Sequence, residues 1–278
     1  MLKKTYIPVL TIAGSDSGGG AGIQADIKTI SALGCYAASA ITAITVQNTV
    51  GVRAIHALPM PILDGQIKAV MEDIAPKAIK IGMVDSPEVV EIIVSNLLNY
   101  PDVPVVFDPV MVATSGDKLI QDETIEVIVR LLFPLVDIIT PNLDEAMILT
   151  HREVKNKKDM LEAADKLLES GAQGVLVKGG HLQEETIYDV LAMRDEEIHV
   201  FKSSRIHTHN THGTGCSLSS AVAAELGKGR GMVDAVINAR TYIFEALLQG
   251  KDQKTGSGHG PLNHFHNPIK TIINELDD

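Results

Sequence analysis

Ile7-Pro8-Val9-Leu10-Thr11-Ile12-Ala13-Gly14-Ser15-Asp16-Ser17-Gly18-Gly19-Gly20-Ala21-Gly22 decides how this chain is read. A short apolar, β-branched run breaks into a glycine-rich loop, and an amphipathic stretch over 21–33 follows at once. A strand that hands the chain through a loop to a helix is the repeating unit of a parallel sheet. Working outward, the unit recurs. Strands are predicted near 7–13, 36–46, 78–82, 103–108, 136–140 and 173–178. Helices are predicted near 21–33, 61–73, 87–99, 122–132, 143–149 and 157–170. Runs near 186–193 and 197–201 flank Arg194-Asp195-Glu196 and read as an antiparallel hairpin, with two helices after it near 214–227 and 231–249. No repeat or long linker interrupts the pattern, and only 250–260 looks loose. The expectation is an α/β fold, one domain over residues 1–278 with a mostly parallel central sheet.

Composition agrees with that class. Of 278 residues 45% are hydrophobic, yet there are only five Tyr, five Phe and no Trp, so the core must be aliphatic. Sheets buried on both faces tend to be built this way. The formal charge of −11 argues against a broad nucleic-acid surface or an anionic membrane, both of which need clustered cations. Phosphate can still be held locally by backbone N–H groups and one or two cations. Cys35 and Cys216 are too few for a disulfide framework or a cysteine-rich zinc site. The first apolar stretch ends too soon in Gly14-Ser15-Asp16 for a signal peptide, and no apolar run approaches ~20 residues. A cytoplasmic protein is expected.

The predicted strand ends carry the functional signal. Ala13-Gly14-Ser15-Asp16, Gln47-Asn48, Gly82-Met83, Asp108-Pro109, Pro141-Asn142 and Lys178-Gly179-Gly180 each follow a strand. Ligands of open α/β sheets bind outside the carboxyl ends of the strands. Loops favour such residues in any case, so the set argues more than any member.

Thr211-His212-Gly213-Thr214-Gly215-Cys216 opens a small-residue stretch, Ser217 to Ala224, that reads as a buried helix. A glycine-rich turn at a helix start presents free N–H groups and the positive dipole end, suited to a transferring phosphoryl group. It also reads as an ordinary tight turn. The 13–22 loop is neither a Walker A sequence nor a dinucleotide fingerprint; its glycines either admit a ligand to the backbone or merely connect strand to helix. Asn142 and Glu145 share one helical face, where they would orient Mg²⁺-bound water and nucleotide phosphates or else form a capping box. Lys178 ends an apolar strand as a phosphate cation or as a lysine reaching for solvent. For His259, His264 and His266 surface or packing roles come before a metal, and Cys35 reads as a small core residue.

Taken in order, Thr11–Asp26, Gln47–Thr49, Lys80–Met83, Asp108–Met111, Thr140–Glu145, Lys178–His181, Asn210–Cys216 and Gly258–His264 resemble the hydroxymethylpyrimidine/phosphomethylpyrimidine kinases of thiamine biosynthesis, in the ribokinase-like superfamily. The resemblance spans nearly the whole chain. It implies a three-layer α/β/α sandwich that uses ATP and Mg²⁺ to phosphorylate 4-amino-5-hydroxymethyl-2-methylpyrimidine and then its monophosphate. It further implies a homodimer. By similarity Gly14, Ala21, Asp26, Gln47, Met83 and Val110 would line the pyrimidine pocket. Asn142, Glu145, Lys178 and Thr211 would serve the nucleotide phosphates, with Asn142 and Glu145 holding Mg²⁺, in part through water. Gly213, Thr214, Gly215 and Cys216 would form the anion hole beside the catalytic Lys178. The segment Val110–Lys118 would be a flap that excludes water. Much of the superfamily resembles G-A-G-D where this chain ends in Cys216, and the aspartate there acts as base. A thiol at a helix start is expected to have a lowered pKa and to take the proton as thiolate. Two other readings stay open. Pyridoxine or pyridoxal kinases resemble this chain, although Gln47-Asn48-Thr49 and Ala113 favour the pyrimidine. A non-catalytic pyrimidine-binding protein would keep the pocket without needing the phosphate residues.

Overall fold

The opening strand–loop–helix unit is built as read in the computed structural model, which describes residues 3–111, 120–180, 182 and 184–276. The elements are β1 (Lys3–Thr5), β2 (Pro8–Asp16), α1 (Gly22–Ala32), β3 (Tyr36–Asn48), β4 (Gly51–Ala57), α2 (Met60–Asp73), β5 (Ala78–Ile81), α3 (Pro87–Leu97), β6 (Val105–Phe107) and α4 (Asp122–Val127). There follow β7 (Ile138–Ile139), α5 (Leu143–Thr150), α6 (Lys157–Leu168), β8 (Gly174–Lys178), β9 (Thr186–Met193), β10 (His199–Ser204), α7 (Thr214–Gly227), α8 (Met232–Gly250) and β11 (Asn274–Leu276).

Nine strands form one sheet in the order β10-β9-β8-β7-β6-β5-β2-β3-β4. The run from β8 to β3 is parallel throughout. The predicted β9–β10 hairpin closes one edge antiparallel, and β4 closes the other. Strand order reverses at β2, with β3 on one side and β5 on the other, so the carboxyl ends there flank a crevice.

Side chains of the central strands alternate between two apolar layers, as the two-residue strand period requires. Leu10, Ile12, Val105, Phe107, Ile139, Val175 and Val177 pack with α2, α3, α5 and α6. Val9, Val106, Ile138 and Leu176 pack instead with α1, α7 and α8. Helices on both faces make this a three-layer α/β/α sandwich. Helix α7 lies close to the sheet because its inward face is small: Ser217, Ser219, Ser220, Ala221, Ala223 and Ala224 are all buried. Among the described residues no helix is long and apolar enough to cross a membrane.

Three departures from the sequence reading have physical causes. Strand β4 was not foreseen, because from Arg53 to Ala57 every residue is exposed and no apolar face marks it. Pairing with β4 extends β3 through Asn48, so Gln47 sits within a ladder, opposite Val52, rather than in a loop. The helix predicted over 122–132 is α-helical only to Val127; Ile128–Leu132 widens into a π turn before a 3₁₀ turn at Phe133–Leu135.

Candidate active site

A cavity of about 610 Å³ lies over the carboxyl ends of the parallel strands. Each strand end contributes what its local geometry allows. The loop after β2 curls around the Asp16 carboxylate, which accepts the N–H groups of Gly18 (2.7 Å), Gly20 (3.0 Å) and Ala21 (2.8 Å). His212 Nε2 lies 3.0 Å from the same carboxylate, so Asp16 ties the first glycine loop to the second. Burial alone would raise the Asp16 carboxyl, but His212 and the loop N–H groups outweigh it and hold it below its usual value. Contact between the loops is as close as backbone permits. Gly213 has φ 81°, and a β-carbon there would lie 1.7 Å from the Gly20 carbonyl. Only glycine fits such a position.

Gly14, Ala21, Gln47, Met83 and Val110 all line the cavity. Met83 lies over Gly14, whose missing side chain leaves room: a β-carbon would stand 3.4 Å from Met83 Sδ. Asp26, expected in the same pocket, does not line this cavity and is fully buried. Its carboxylate accepts Thr11 Oγ1 (2.6 Å), Ser220 Oγ (2.7 Å) and both oxygens meet Lys80 Nζ (2.9 and 3.0 Å). A fully buried ammonium on β5 needs such a counter-ion, and that demand claims the carboxylate. Burial opposes the Lys80 charge, but Asp26, with Cys216 and Asp108 beyond it, keeps its pKa above the ordinary value.

Asn142, Glu145, Lys178, Thr211 and Gly213 to Cys216 line the same cavity. Asn142 and Glu145 do form a capping box at the start of α5: Glu145 N–H donates to Asn142 Oδ1 (2.9 Å) and Asn142 N–H to Glu145 Oε2 (2.7 Å). The cap holds the carboxylate on the cavity wall, so the two readings of this pair are compatible. Lys178 does not reach for solvent. Its ammonium is 2.8 Å from Asp108 Oδ1, and its side chain is 13% exposed. Asp108, which motif reading quoted without a role, is fully buried and also accepts Thr140 Oγ1 at 3.0 Å. A lone carboxylate ending an apolar strand was the available signal. Burial works against the Lys178 charge, but Asp108 and Glu145 together outweigh it and raise its pKa. Burial would likewise raise Asp108, and Lys178 with Lys80 holds it low instead. Gly215 leaves the space that Lys178 uses, since a β-carbon there would be 3.2 Å from Nζ.

Glu145 carries the opposite balance. Burial first, and then the Asp108 charge, outweighs Lys178 and lifts its carboxyl from 4.5 to about 7. A raised folded-state value stabilises the protein only below the unfolded value and loses that contribution as pH rises toward 7. Glu145→Gln, which keeps an acceptor for the Asn142 N–H, is therefore expected to remove a decline in stability between about pH 5 and pH 7. Urea unfolding across that range should show the variant gaining on the parent by on the order of 1–3 kcal/mol. Parallel curves would rule out this origin.

Cys216 departs from the expected thiolate. Burial, with the Asp26 and Asp108 carboxylates, outweighs Lys80 and pushes the thiol up to about 11. Desolvation disfavours the charged form more than the helix start favours it. The residues of the expected flap beyond Met111, Val112 to Lys118, lie outside the described residues, as does His181. His264 is buried against Ser217 Oγ (3.0 Å), with its pKa lowered by burial to about 4, and has no place on the cavity.

A buried lysine, two carboxylates and a glycine-turn helix start over one cavity of a ribokinase-like fold define a small-molecule kinase. The phosphomethylpyrimidine kinase family model matches residues 16–263, and the chain belongs to that family. It is 46% identical over 258 residues to the hydroxymethylpyrimidine/phosphomethylpyrimidine kinase of Rhizobium meliloti (strain 1021), covering 92% of this chain and 96% of that one. The crystal structure of phosphomethylpyrimidine kinase from Clostridium difficile 630 superposes with a TM-score of 0.77 at 46% identity, covering 87% and 99% of the two chains. A Staphylococcus aureus pyridoxal kinase in complex with AMP-PCP superposes at 0.87 with 30% identity, covering 98% and 100%.

Proposed function

We propose that residues 1–278 act as one kinase domain that transfers the γ-phosphoryl group of ATP to 4-amino-5-hydroxymethyl-2-methylpyrimidine, and then to the resulting monophosphate. The observation that carries this reading is the spread of one cavity across the sheet. Gln47 lies at the end of β3 and Met83 follows β5, while Asn142, Glu145 and Lys178 belong to the ends of β7 and β8 and the start of α5. The Gly213–Cys216 turn lies between, against Gly20 on one side and Lys178 on the other. A flat aminopyrimidine suits the first group: the Gln47 amide offers a donor and an acceptor, and Met83 with Val110 can cover the ring. A triphosphate suits the second, where backbone N–H groups and one ammonium can meet it.

The alcohol oxygen of the acceptor bonds to the γ-phosphorus while the bond from that phosphorus to the ADP oxygen breaks, and the alcohol proton passes to a phosphate oxygen or to water. Such transfer runs through a loose transition state, so positioning and charge stabilisation dominate. The α7 N-terminus, opened by Gly213, and the Lys178 ammonium would hold the transferring oxygens. Mg²⁺ fits the donor set: Glu145 and Asp108 are hard oxygen donors, and a buried carboxyl with a raised pKa gains from a nearby cation. Because both Asn142 and Glu145 are engaged in the cap, they would reach the ion through water. Bound there, it would neutralise charge on the phosphates.

A neutral thiol cannot serve as a ready base, so Cys216 is assigned a positioning role for both acceptors. Cys216→Ala is expected to slow both half-reactions alike, each by about tenfold, in separate assays with the alcohol and with its monophosphate. The monophosphate is largely ionised and needs no base, so a loss confined to the alcohol would restore the base role.

An ADP-release assay with the pyrimidine, pyridoxal and no acceptor, each with and without Mg²⁺, tests the reading. Turnover highest with the pyrimidine supports it. Preference for pyridoxal would favour the second reading, which the structural likeness to a pyridoxal kinase at 0.87 supports, and no acceptor-dependent turnover would leave a pyrimidine-binding protein. A cytoplasmic homodimer completes the proposal. Ile44 and Val46, on one face of β3, are 47% and 55% exposed, which an interface would cover. Light scattering gives the mass directly.

A further inference from the structure

Lys178 serves a phosphoryl group only if its ammonium leaves the backbone in one direction, and a lysine stem is flexible enough to stray. The Asp108 contact holds the far end of the side chain. The near end is set by the backbone of Lys178, which closes β8 and stands opposite Asp189 in the antiparallel β8–β9 ladder.

The two peptide groups flanking Lys178 are planar, so only two soft dihedrals lie between them, and pinning both planes fixes the direction of the Cα–Cβ bond. The plane before it is held from the β7 side, where Lys178 N–H donates to the Pro141 carbonyl at 2.9 Å. The plane after it lies beyond the ladder, whose register ends at Lys178 and Asp189. Its N–H, that of Gly179, donates to Asp189 Oδ1 at 2.9 Å in a buried contact. A side chain of β9 thus takes over where the strand pairing stops.

Within Thr186–Met193 only Asp189 carries a charge, and it is 8% exposed. A carboxylate so buried needs a cation. Arg240 of α8 supplies it, its Nε donating to Asp189 Oδ2 at 2.7 Å. The guanidinium lies over the Phe201 ring, 5.1 Å from the centroid, and its Nη2 is 3.4 Å from Ser203 Oγ. Both carboxylate oxygens are therefore engaged, one by the backbone after β8 and one by α8. Asp189 also lines the cavity, where pairing with Arg240 offsets the repulsion a bare carboxylate would exert on phosphate.

We propose that Asp189 is a positioning residue for phosphoryl transfer: by holding the Gly179 N–H it fixes the backbone from which Lys178 reaches the phosphate. Arg240 holds the carboxylate in turn. The hairpin at the sheet edge thereby aims the cation on its neighbouring strand.

The inference rests on the reading of Lys178 as the phosphate cation, and the experiment separates the two. Steady-state kinetics with ATP and the acceptor turned over fastest are measured for the parent, Asp189→Ala, Asp189→Asn, Lys178→Met and Asp189→Ala/Lys178→Met, each shown to be folded by circular dichroism. Asp189→Ala is expected to lower kcat about tenfold, with KM for both substrates within about twofold, a part of the ~10² that a 1 Å misplacement can cost. Asparagine keeps an oxygen for the Gly179 N–H and should restore kcat to within about threefold of the parent. In the Lys178→Met background Asp189→Ala should cost nothing further, because the aspartate acts only through the lysine. If alanine unfolds the protein, Asp189→Glu takes its place with the same expectation: it keeps a carboxylate for Arg240 and moves the oxygen off Gly179. A folded variant with parental kcat, a loss in KM rather than kcat, an asparagine variant as poor as alanine, or additive losses in the double variant would each overturn the inference while Lys178 keeps its role. Unchanged kcat in Lys178→Met, or no acceptor-dependent turnover by the parent, overturns the reading of Lys178 and this inference with it.

Discussion

Lys178→Met is expected to lower kcat/KM by about 10³, a loss in the range for removing a cation that stabilises transferring phosphoryl oxygens. The size follows from how the ammonium is held. It sits 2.8 Å from Asp108 at the end of a buried strand, between two carboxylates that keep it charged, and beside the turn that opens α7. Little solvent is available to replace it. Arginine should not rescue the loss, since the space beside Gly215 is already close around Nζ and a guanidinium is larger. Methionine also leaves Asp108 and Glu145 facing each other without their shared counter-ion, so the variant's stability should fall at alkaline pH more than at acid pH. Steady-state kinetics with a melting profile at two pH values separates the catalytic loss from the structural one. Unchanged kcat/KM in a folded variant would remove Lys178 from the phosphoryl site.

Asp26→Ala is expected to cost about 3–5 kcal/mol, because it strands the Lys80 ammonium in the interior. Both groups are wholly buried, and the carboxylate also receives hydroxyl protons from Thr11 and Ser220. A domain of ordinary stability has roughly 5–15 kcal/mol in total, so the single variant should be barely folded at 37 °C. Asp26→Leu/Lys80→Met, which removes both charges together, should recover a large part of the loss. Urea unfolding of the two singles and the double gives the coupling. A double variant as poor as Asp26→Ala would mean that the hydroxyl network, not the stranded charge, sets the cost.

How far these sites were legible from the chain depends on what each residue needed. The parallel strands could be read because burial on both faces demands unbroken apolar runs, and their carboxyl ends could be read as a row because sheet topology aligns them. Lys80 also left a trace: a lysine inside the four-residue strand Ala78–Ile81 requires a buried partner. Its partner was not legible, since Asp26 lies on α1 and 54 residues away, and the resemblance placed that carboxylate on the acceptor instead. Strand β4 was hidden for the opposite reason, because exposure leaves no pattern. His212 offered no local sign of its tie to Asp16, a contact made across 196 residues. At Cys216 the helix start is visible in sequence, whereas the desolvation and the nearby Asp26 and Asp108 carboxylates that raise its thiol are not.

The order of strands across the sheet has a bearing on evolution and on engineering. Gln47 and the first glycine loop belong to β2 and β3, at one end of the parallel run, whereas Glu145, Lys178 and the strands that carry them, β7 and β8, lie toward the other. Under the proposed function, choice of acceptor and handling of phosphate draw on different strands of the sheet, joined where the Gly213 turn meets Gly20. A lineage could exchange one vitamin precursor for another by drift at the tip of β3 and never disturb the phosphate side. A mutant library confined to residues 45–49, with position 83, would explore that same freedom in the laboratory.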